Sequence, residues 1–260
     1  MNILLIGDII GQPGRDALKD LLPLLKNKYD IEFTVVNGEN SAGGNGITLK
    51  TAEEIFSSGA DVITSGDHIW KNKDILTVLE KDQRVLRPAN YPEGAPGKGF
   101  AIYTTMTGNK VAVINLLGRV FMQAIDCPFK IVTKIMNEIS PKTRNIIVDI
   151  HAEATSEKIA MGWYLDGKVS CVVGTHTHVP TRDARILPQG TAYLTDLGMA
   201  GSQNSVIGVN KEAVLQRFIT QLPVKFEPAK EDVWIHGAVV NIDPSSGIAK
   251  EIKMISEKHR

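Results

Sequence analysis

Two histidines separated by a single residue are the strongest sign of chemistry in the sequence. His176 and His178 follow the short apolar run 170–173. Residues two apart in an extended segment face the same side, so both imidazoles can reach one site. Imidazole nitrogen is a common metal ligand near neutral pH. The pair therefore indicates a metal site, the ordinary alternative being two histidines with structural roles.

Further oxygen and nitrogen donors follow other short apolar runs. They are Asp8, Glu39, Asn40, Asp67 and His151. Each has an ordinary role when taken alone, because Asp can cap a helix, Glu-Asn can form a glycine-rich turn, and His can be hydrogen-bonded in a core. A shared role is favoured because four of the six histidines lie in these segments, His68 among them. The other two, His236 and His259, are predicted to be non-functional.

The types of these side chains narrow the metal and the reaction. Carboxylate, amide oxygen and imidazole without thiolate suit Fe, Mn, Zn or Co. A central carboxylate can bridge two metals, and two metals about 3.5–4 Å apart can clamp an in-line phosphoryl displacement. Such a pair lowers the pKa of bound water, and the leaving alkoxide then needs a proton donor. His68 is the free candidate for that donor.

Strands must bring these residues together. Apolar runs predict buried strands at 3–6, 33–36, 62–64, 146–150 and 170–173, each directly before one of the chemical segments. Ligand sites in open α/β sheets lie at the carboxyl ends of strands, so the five segments should meet at one edge. The sequence thus predicts a single α/β domain over residues 1–260.

The remaining pattern predicts helices and a late set of antiparallel strands. Helices are expected at about 15–28, 48–58, 70–79, 129–139 and 211–220. A hairpin is expected around Thr107-Gly108-Asn109, and antiparallel strands at 224–226, 233–242 and 249–255. The fold class is therefore α/β with mixed sheets and helices on the outside.

Composition excludes several classes of protein. The 29 basic and 29 acidic residues give no net charge, so no global field attracts nucleic acid or anionic membrane. Cys127 and Cys171 have no metal-ligand spacing and fit a reducing compartment. No signal peptide or membrane span is apparent. A soluble, cytoplasmic homo-oligomer is expected.

The motifs together resemble the calcineurin-like metallophosphoesterases, and within them the YmdB-like bacterial phosphodiesterases. The resemblance is carried by five segments between Met1 and Ile255: Ile6-Gly-Asp-Ile-Ile-Gly11, Asn37-Gly-Glu-Asn40, Arg87-Pro-Ala-Asn90, His151-Ala-Glu-Ala-Thr-Ser-Glu157 and Gly174-Thr-His-Thr-His178. It implies a four-layer α-β-β-α sandwich and a dinuclear centre, with iron as the expected metal and manganese or zinc as alternatives. It also implies hydrolysis of 2′,3′-cyclic nucleotides, with 3′,5′-cyclic nucleotides and RNA as further candidate substrates.

The resemblance also implies roles for individual residues. One metal would be held by Asp8, Glu39, Asn40 and His178, and the other by Glu39, Asp67, His151 and His176. Glu39 would bridge the two, a metal-bridging hydroxide would attack, and His68 would donate the proton. The family usually has Gly-Asn-His where this chain has Gly66-Asp67-His68, so the charge of the centre, its metal preference and its rate are open.

Two rival functions remain at the level of sequence. An amidohydrolase-type metal hydrolase also uses His-x-His, but places it near the first strand of a barrel. A regulatory scaffold would bind metal without turnover, although it would not need His68. Substrate specificity is expected in the loops 118–122 and 198–207.

Overall fold

The computed structural model describes all residues from Met1 to Arg260. Its six helices are α1 (Gly11–Lys28), α2 (Leu49–Ser57), α3 (Ile75–Lys81), α4 (Pro128–Ile139), α5 (Thr155–Leu165) and α6 (Lys211–Thr220). Its first strands are β1 (Asn2–Ile6), β2 (Asp8–Ile9), β3 (Ile31–Asn37), β4 (Val62–Thr64), β5 (Phe100–Thr104), β6 (Lys110–Leu117) and β7 (Ile146–His151). The remaining strands are β8 (Cys171–Thr175), β9 (Arg185–Ile186), β10 (Ala192–Leu194), β11 (Met199–Ser202), β12 (Val233–Ile242) and β13 (Ala249–Lys258).

The strands form two mixed sheets. The first sheet has the order β2-β11-β12-β1-β3-β4, with β13 paired to β12. In it β1, β3 and β4 run parallel, whereas β12 is antiparallel to β1. The second sheet has the order β5-β6-β7-β8-β10-β9, in which β6, β7, β8 and β10 run parallel. The predicted α/β class with mixed sheets is confirmed.

Apolar packing arranges these elements in four layers. Ile3 and Leu5 of β1 face a core shared with Val113 of β6 and Ile147 of β7, so this core lies between the sheets. The alternate residues of β1 face a second core with helices α1, α2 and α3. A third core joins the outer face of the second sheet to α4 and α5. Because the central strands are covered on both faces, they read as continuous apolar runs.

Two predicted helices begin at different places. Helix α1 begins at Gly11 instead of residue 15, because Pro13 lies in the first turn, where its missing N–H costs nothing. Helix α3 begins at Ile75 instead of residue 70. The intervening residues form turns, in which the amide of Lys71 donates to the carbonyl of His68 at 3.0 Å. This irregular segment places His68 at the strand edge.

Other elements differ from the sequence prediction. The predicted strand at 224–226 is wrong, because this segment is irregular and the nearby carbonyl of Glu227 accepts from Asn210 N instead. Helix α5 has no prediction, since its buried residues include the charged Glu157 and Lys158, which break the apolar pattern. The other predicted helices and strands are present, with ends shifted by a few residues. None of the helices combines the length and apolarity needed to cross a membrane.

Candidate metal centre

The seven predicted ligands come from strand ends of both sheets. Asp8 follows β1, Glu39 and Asn40 follow β3, and Asp67 follows β4. From the second sheet, His151 ends β7, and His176 and His178 follow β8. The carboxyl ends of strands from both sheets therefore meet at one site. All three carboxylates come from the first sheet and all three histidines from the second.

A glycine makes the close approach possible. A Cβ on Gly66 would lie 2.1 Å from His151 Cδ2 and 2.3 Å from Glu39 Oε2. Neither side chain could keep its place if residue 66 carried a side chain. The glycine before Asp67 is thus required by the cluster itself.

Four of the predicted ligands meet at one point. Glu39, Asp67, His151 and His176 each offer a ligand atom, and these atoms all lie within 4.8 Å of one another. His151 Nε2 is 3.1 Å from Glu39 Oε1 and 3.4 Å from Asp67 Oδ1. His176 Nδ1 is 3.7 Å from Asp67 Oδ1. This is the set that the resemblance implies for one of the two metals.

The other set lies next to the first and also contacts Glu39. His178 Nε2 is 3.6 Å from Asp8 Oδ1 and 3.2 Å from Asn40 Nδ2. Asn40 Nδ2 also donates to Glu39 Oε1 at 3.1 Å. The amide of Asn40 therefore has its nitrogen toward the cluster, and binding a metal through its oxygen would require the amide to turn over. Both sets contact Glu39 Oε1, as expected for a carboxylate shared by two metals.

Unpartnered oxygen atoms in the cluster fit metal ions. Asp8 Oδ1 and Asp67 Oδ1 are buried and have no hydrogen-bond partner. Buried polar atoms are nearly always paired in folded proteins, so such atoms need a partner of another kind. Carboxylate oxygen and imidazole nitrogen are the ligands of Fe, Mn and Zn. The residues present thus fit the metal ions that the sequence predicts.

The neighbouring charges keep the carboxylates ionised. Burial alone would raise the pKa of Asp8, but His178 and His151 lower it to about 2. Burial acts in the same direction on Asp67, yet His151, His68 and His176 hold its pKa well below the usual value. Both side chains are therefore available as anionic ligands throughout the physiological range.

The histidines respond to burial and to the same charges. Burial lowers the pKa of His151, but Glu39 and Asp67 raise it well above the usual value. The pKa of His178 is also raised, because Asp8 outweighs its burial. The pKa of His176 is lowered by burial and by the nearby His151. A metal must displace protons from His151 and His178, so metal binding should release protons.

A buried hydrogen-bond network orients His151 through Nδ1, the ring nitrogen that does not point to Glu39 and Asp67. His151 Nδ1 lies 3.0 Å from Thr175 Oγ1, which donates to Asp149 Oδ1 at 2.8 Å. Thr64 Oγ1 donates to Asp149 Oδ2 at 2.5 Å. Burial raises the pKa of Asp149 to about 6 despite these hydrogen bonds. Asp149 has no predicted role from sequence, although its place two residues before His151 on a strand puts it on the same face.

A second missed carboxylate holds the turn that carries His176 and His178. Asp196 Oδ2 accepts from the amide and the hydroxyl of Thr177 at 3.2 and 2.7 Å. The same oxygen accepts from Lys158 Nζ at 2.7 Å, and both partners are buried. His176 and His178 have φ of 99° and 63°, values that side chains other than glycine seldom adopt. Asp196 thus maintains a strained turn.

His68 lies beside the cluster and is the more exposed of the two histidines that contact Asn40. Its Nδ1 is 2.8 Å from Asn40 Oδ1, which fits donation to that oxygen and leaves Nε2 available. Nε2 lies 3.8 Å from Asp67 Oδ2. The other two histidines are elsewhere: His236 stacks on Trp234 and contacts Gln203, and His259 pairs with Asp20.

A cavity of about 540 Å³ opens onto the cluster. It is lined by Glu39, Asn40, His68, His176 and His178. Ile207, from one of the two loops predicted to set specificity, lines the same cavity. Residues 118–122 of the other predicted loop do not line this cavity.

Comparison with known proteins identifies the family. The family model for YmdB-like proteins matches residues 4–255. The chain belongs to the YmdB-like family. A relative from Bacillus subtilis (strain 168), a 2′,3′-cyclic-nucleotide 2′-phosphodiesterase, is 48% identical over 255 residues. That alignment covers 98% of this chain and 96% of the relative.

Solved structures agree with the YmdB-like assignment. The crystal structure of a novel phosphatase from Mycoplasma pneumoniae superposes with a TM-score of 0.93 at 33% identity, covering 99% of this chain and 93% of that one. The calcineurin-like phosphoesterase YfkN from Bacillus subtilis superposes with a TM-score of 0.57 at 11% identity, covering 99% and 90%. The latter likeness supports the fold alone. The predicted metallophosphoesterase sandwich is thereby confirmed.

Proposed function

We propose that this protein is a dinuclear-metal phosphodiesterase that hydrolyses 2′,3′-cyclic nucleotides. The observation that carries the proposal is the arrangement of two ligand sets around Glu39, with His68 beside them in one cavity. The 48% identity to a 2′,3′-cyclic-nucleotide 2′-phosphodiesterase supports the choice of substrate class.

In this proposal each ligand keeps the role that the family resemblance implies. Asp8, Glu39, Asn40 and His178 hold one metal, Glu39, Asp67, His151 and His176 hold the other, and Glu39 is shared. When bound, two such ions neutralise phosphoryl oxygen charge and lower the pKa of water, so that a nucleophile forms near neutral pH. Iron is the proposed native metal, with manganese and zinc as alternatives.

His68 is the proposed proton donor to the leaving alkoxide. Once the Asn40 amide is turned over to bind a metal through its oxygen, its Nδ2 would donate to His68 Nδ1, so His68 Nε2 is the nitrogen that can carry the transferred proton. A side chain that is about one-third exposed at the cavity edge can also exchange that proton with solvent. A general acid placed in this way contributes about 10²- to 10⁴-fold to rate.

The test combines metal analysis with a panel of substrates. Metal-loaded protein should contain two metals per chain and should hydrolyse 2′,3′-cyclic AMP, with 3′,5′-cyclic AMP and a short RNA as comparison substrates. His68→Ala should lower turnover of 2′,3′-cyclic AMP by roughly 10²-fold or more. Turnover of bis-p-nitrophenyl phosphate should fall less, because the p-nitrophenolate leaving group needs little protonation. His259→Ala, outside the cluster, is the matched control.

The outcomes separate the rival functions. A folded protein that holds two metals and cleaves none of these substrates would leave the regulatory scaffold as the better proposal. A single metal per fully loaded chain would contradict the dinuclear arrangement. The amidohydrolase alternative is disfavoured already, since the histidine pair follows a late strand of a two-sheet sandwich and no barrel is formed. Organisation as a single domain, homo-oligomerisation and a cytoplasmic location stay predictions.

A further inference from the structure

A strained turn forms part of the wall of the cavity that the predicted metal ligands also line. Val206 and Val209 pair across a two-residue turn, with N–O distances of 2.9 and 3.0 Å. The two residues between them, Ile207 and Gly208, have φ of 48° and 93°. This turn geometry favours Asn or Gly at both places, and a β-branched residue is disfavoured there. Such strain is most often kept where it has a function.

The turn is fixed from two directions. His178 Nδ1 donates to the carbonyl oxygen of Ile207 at 2.8 Å, so the backbone of the turn orients a proposed metal ligand. On its other side, the amide of Ala229 donates to the carbonyl of Gly208 at 2.9 Å. These bonds hold the backbone, while the Ile207 side chain stays 49% exposed at the cavity.

Further apolar side chains continue the surface that Ile207 begins. We call this surface the apolar wall; it consists of Ile10, Ile207, Val209, Phe226 and Pro228. Phe226 is 48% exposed although it is a large aromatic residue. Pro228 closes one end, packing so tightly on Gly44 that a Cβ there would lie 3.2 Å from its ring. The apolar wall and the predicted metal ligands therefore line the same cavity.

We propose that the apolar wall binds the nucleobase of the substrate, with the ring of Phe226 stacking on the base. This inference rests on the proposed function, because it assumes a nucleotide whose phosphate lies at the metal ligands. A phosphate held there must extend its nucleoside into the same cavity, where an uncharged planar base meets the apolar side chains of the wall. Glu227, between Phe226 and Pro228 in sequence, also lines this cavity. Stacking on an aromatic ring tolerates every base, so the wall should favour purines by area without reading their edges.

The test compares a nucleotide with a substrate that lacks a base. The substrates are 2′,3′-cyclic AMP and the 2′,3′-cyclic phosphate of 1-O-methylribose. Phe226→Ala should lower kcat/KM for 2′,3′-cyclic AMP by about 5- to 100-fold, as expected for the loss of one stacked base. Most of this loss should come from a higher KM. The base-free substrate should change by less than about twofold. Phe218→Ala is the matched control, since Phe218 is exposed on α6 and does not line the cavity.

Ile207→Asn tests the turn without breaking it. Asn tolerates the left-handed conformation, so the turn and its carbonyl bond to His178 should persist while the apolar side chain is lost. The expected result is a higher KM for 2′,3′-cyclic AMP, unchanged metal content and a melting temperature at or above that of wild type. A melting temperature well below wild type, with metal lost, would show that the side chain supports the turn and does not serve the base.

Two results would overturn the proposal. Equal losses on both substrates for Phe226→Ala would mean general damage to the site, and unchanged kinetics on both would mean that the base lies elsewhere. Direct titration of metal-loaded protein with adenosine 3′-monophosphate separates this inference from the proposed function. If wild type hydrolyses neither substrate, the proposed function fails. Even then, weaker binding of adenosine 3′-monophosphate to Phe226→Ala than to wild type would support the apolar wall as the base site. Equal binding to the two proteins would contradict it.

Discussion

Asp67 brings a third carboxylate to the cluster, where the family usually has a neutral Asn. Its Oδ1 lies among His151 and His176 and lacks any hydrogen-bond partner, so the side chain is not turned away from the site. The surrounding histidines hold its pKa well below the usual value, so it is charged. With Asp8 and Glu39, two divalent ions would keep a net formal charge of one, against two with Asn at this position.

The first prediction therefore concerns Asp67→Asn. A more positive centre should bind and polarise an anionic phosphodiester better, so kcat/KM for 2′,3′-cyclic AMP should rise at saturating metal. The loss of an anionic ligand should also make metal leave faster to a chelator. Both are measured at matched pH, with Asp30→Asn as the control, since Asp30 is exposed in a left-handed conformation that Asn accepts. A lower kcat/KM at full occupancy would contradict the electrostatic argument.

At the level of elements, helix α5 and the segment after β10 are joined by a buried ion pair. Lys158 and Asp196 are almost completely buried and lie 2.7 Å apart. Asp196 also accepts from Thr177, between the two histidines of the strained turn. The ion pair thus connects the packing of a helix to the geometry of His176 and His178, the two proposed metal ligands.

The second prediction separates these two roles of Asp196. Asp196→Ala leaves the Lys158 charge buried without a partner, which should cost about 3–5 kcal/mol of the free energy of unfolding. Adding Lys158→Met should recover part of that loss, because no unpaired charge remains. Chemical denaturation measures both effects.

Metal retention should behave differently in the same double variant. Thr177 has lost its acceptor, so the turn should loosen and metal should leave faster to a chelator than from wild type. A double variant that recovers stability and retains metal like wild type would show that Asp196 serves the core alone.

The sequence predicts strand ends well because each ligand directly follows an apolar run. It does not predict the roles of Asp149 and Asp196, because their partners are distant in sequence. Asp149 accepts from Thr64, which is 85 residues away, and Asp196 pairs with Lys158, which is 38 residues away. Helix α5 is not predicted either, because its buried charged residues interrupt the apolar pattern of its inner face. The short strands β9, β10 and β11 are likewise set by pairing and not by their own pattern.

At the scale of the whole molecule, the centre lies across the gap between the two sheets. The carboxylates Asp8, Glu39 and Asp67 belong to the first sheet, and the histidines His151, His176 and His178 to the second. Bound metals would therefore join the sheets at the edge where the inter-sheet core ends. Without metal, three carboxylates stay crowded there, and two of their buried oxygens have no partner.

The last prediction follows from this cross-sheet arrangement. A metal that binds only the folded chain at 100 times its Kd stabilises it by about 2.7 kcal/mol, or roughly 5–10 °C in melting temperature for a chain of this size. Removal of metal by a chelator should lower the melting temperature by that amount, and re-addition should restore it. Glu39→Gln should abolish most of the response, because Glu39 contacts both ligand sets, whereas Glu251→Gln on the exposed strand β13 should leave it intact. Hydrogen exchange should show β1 and β3 gaining protection together with β7 and β8 when metal is added, because the ions connect both sheets. If elemental analysis shows full loading and the melting temperature still does not respond to the chelator, the metals do not connect the sheets.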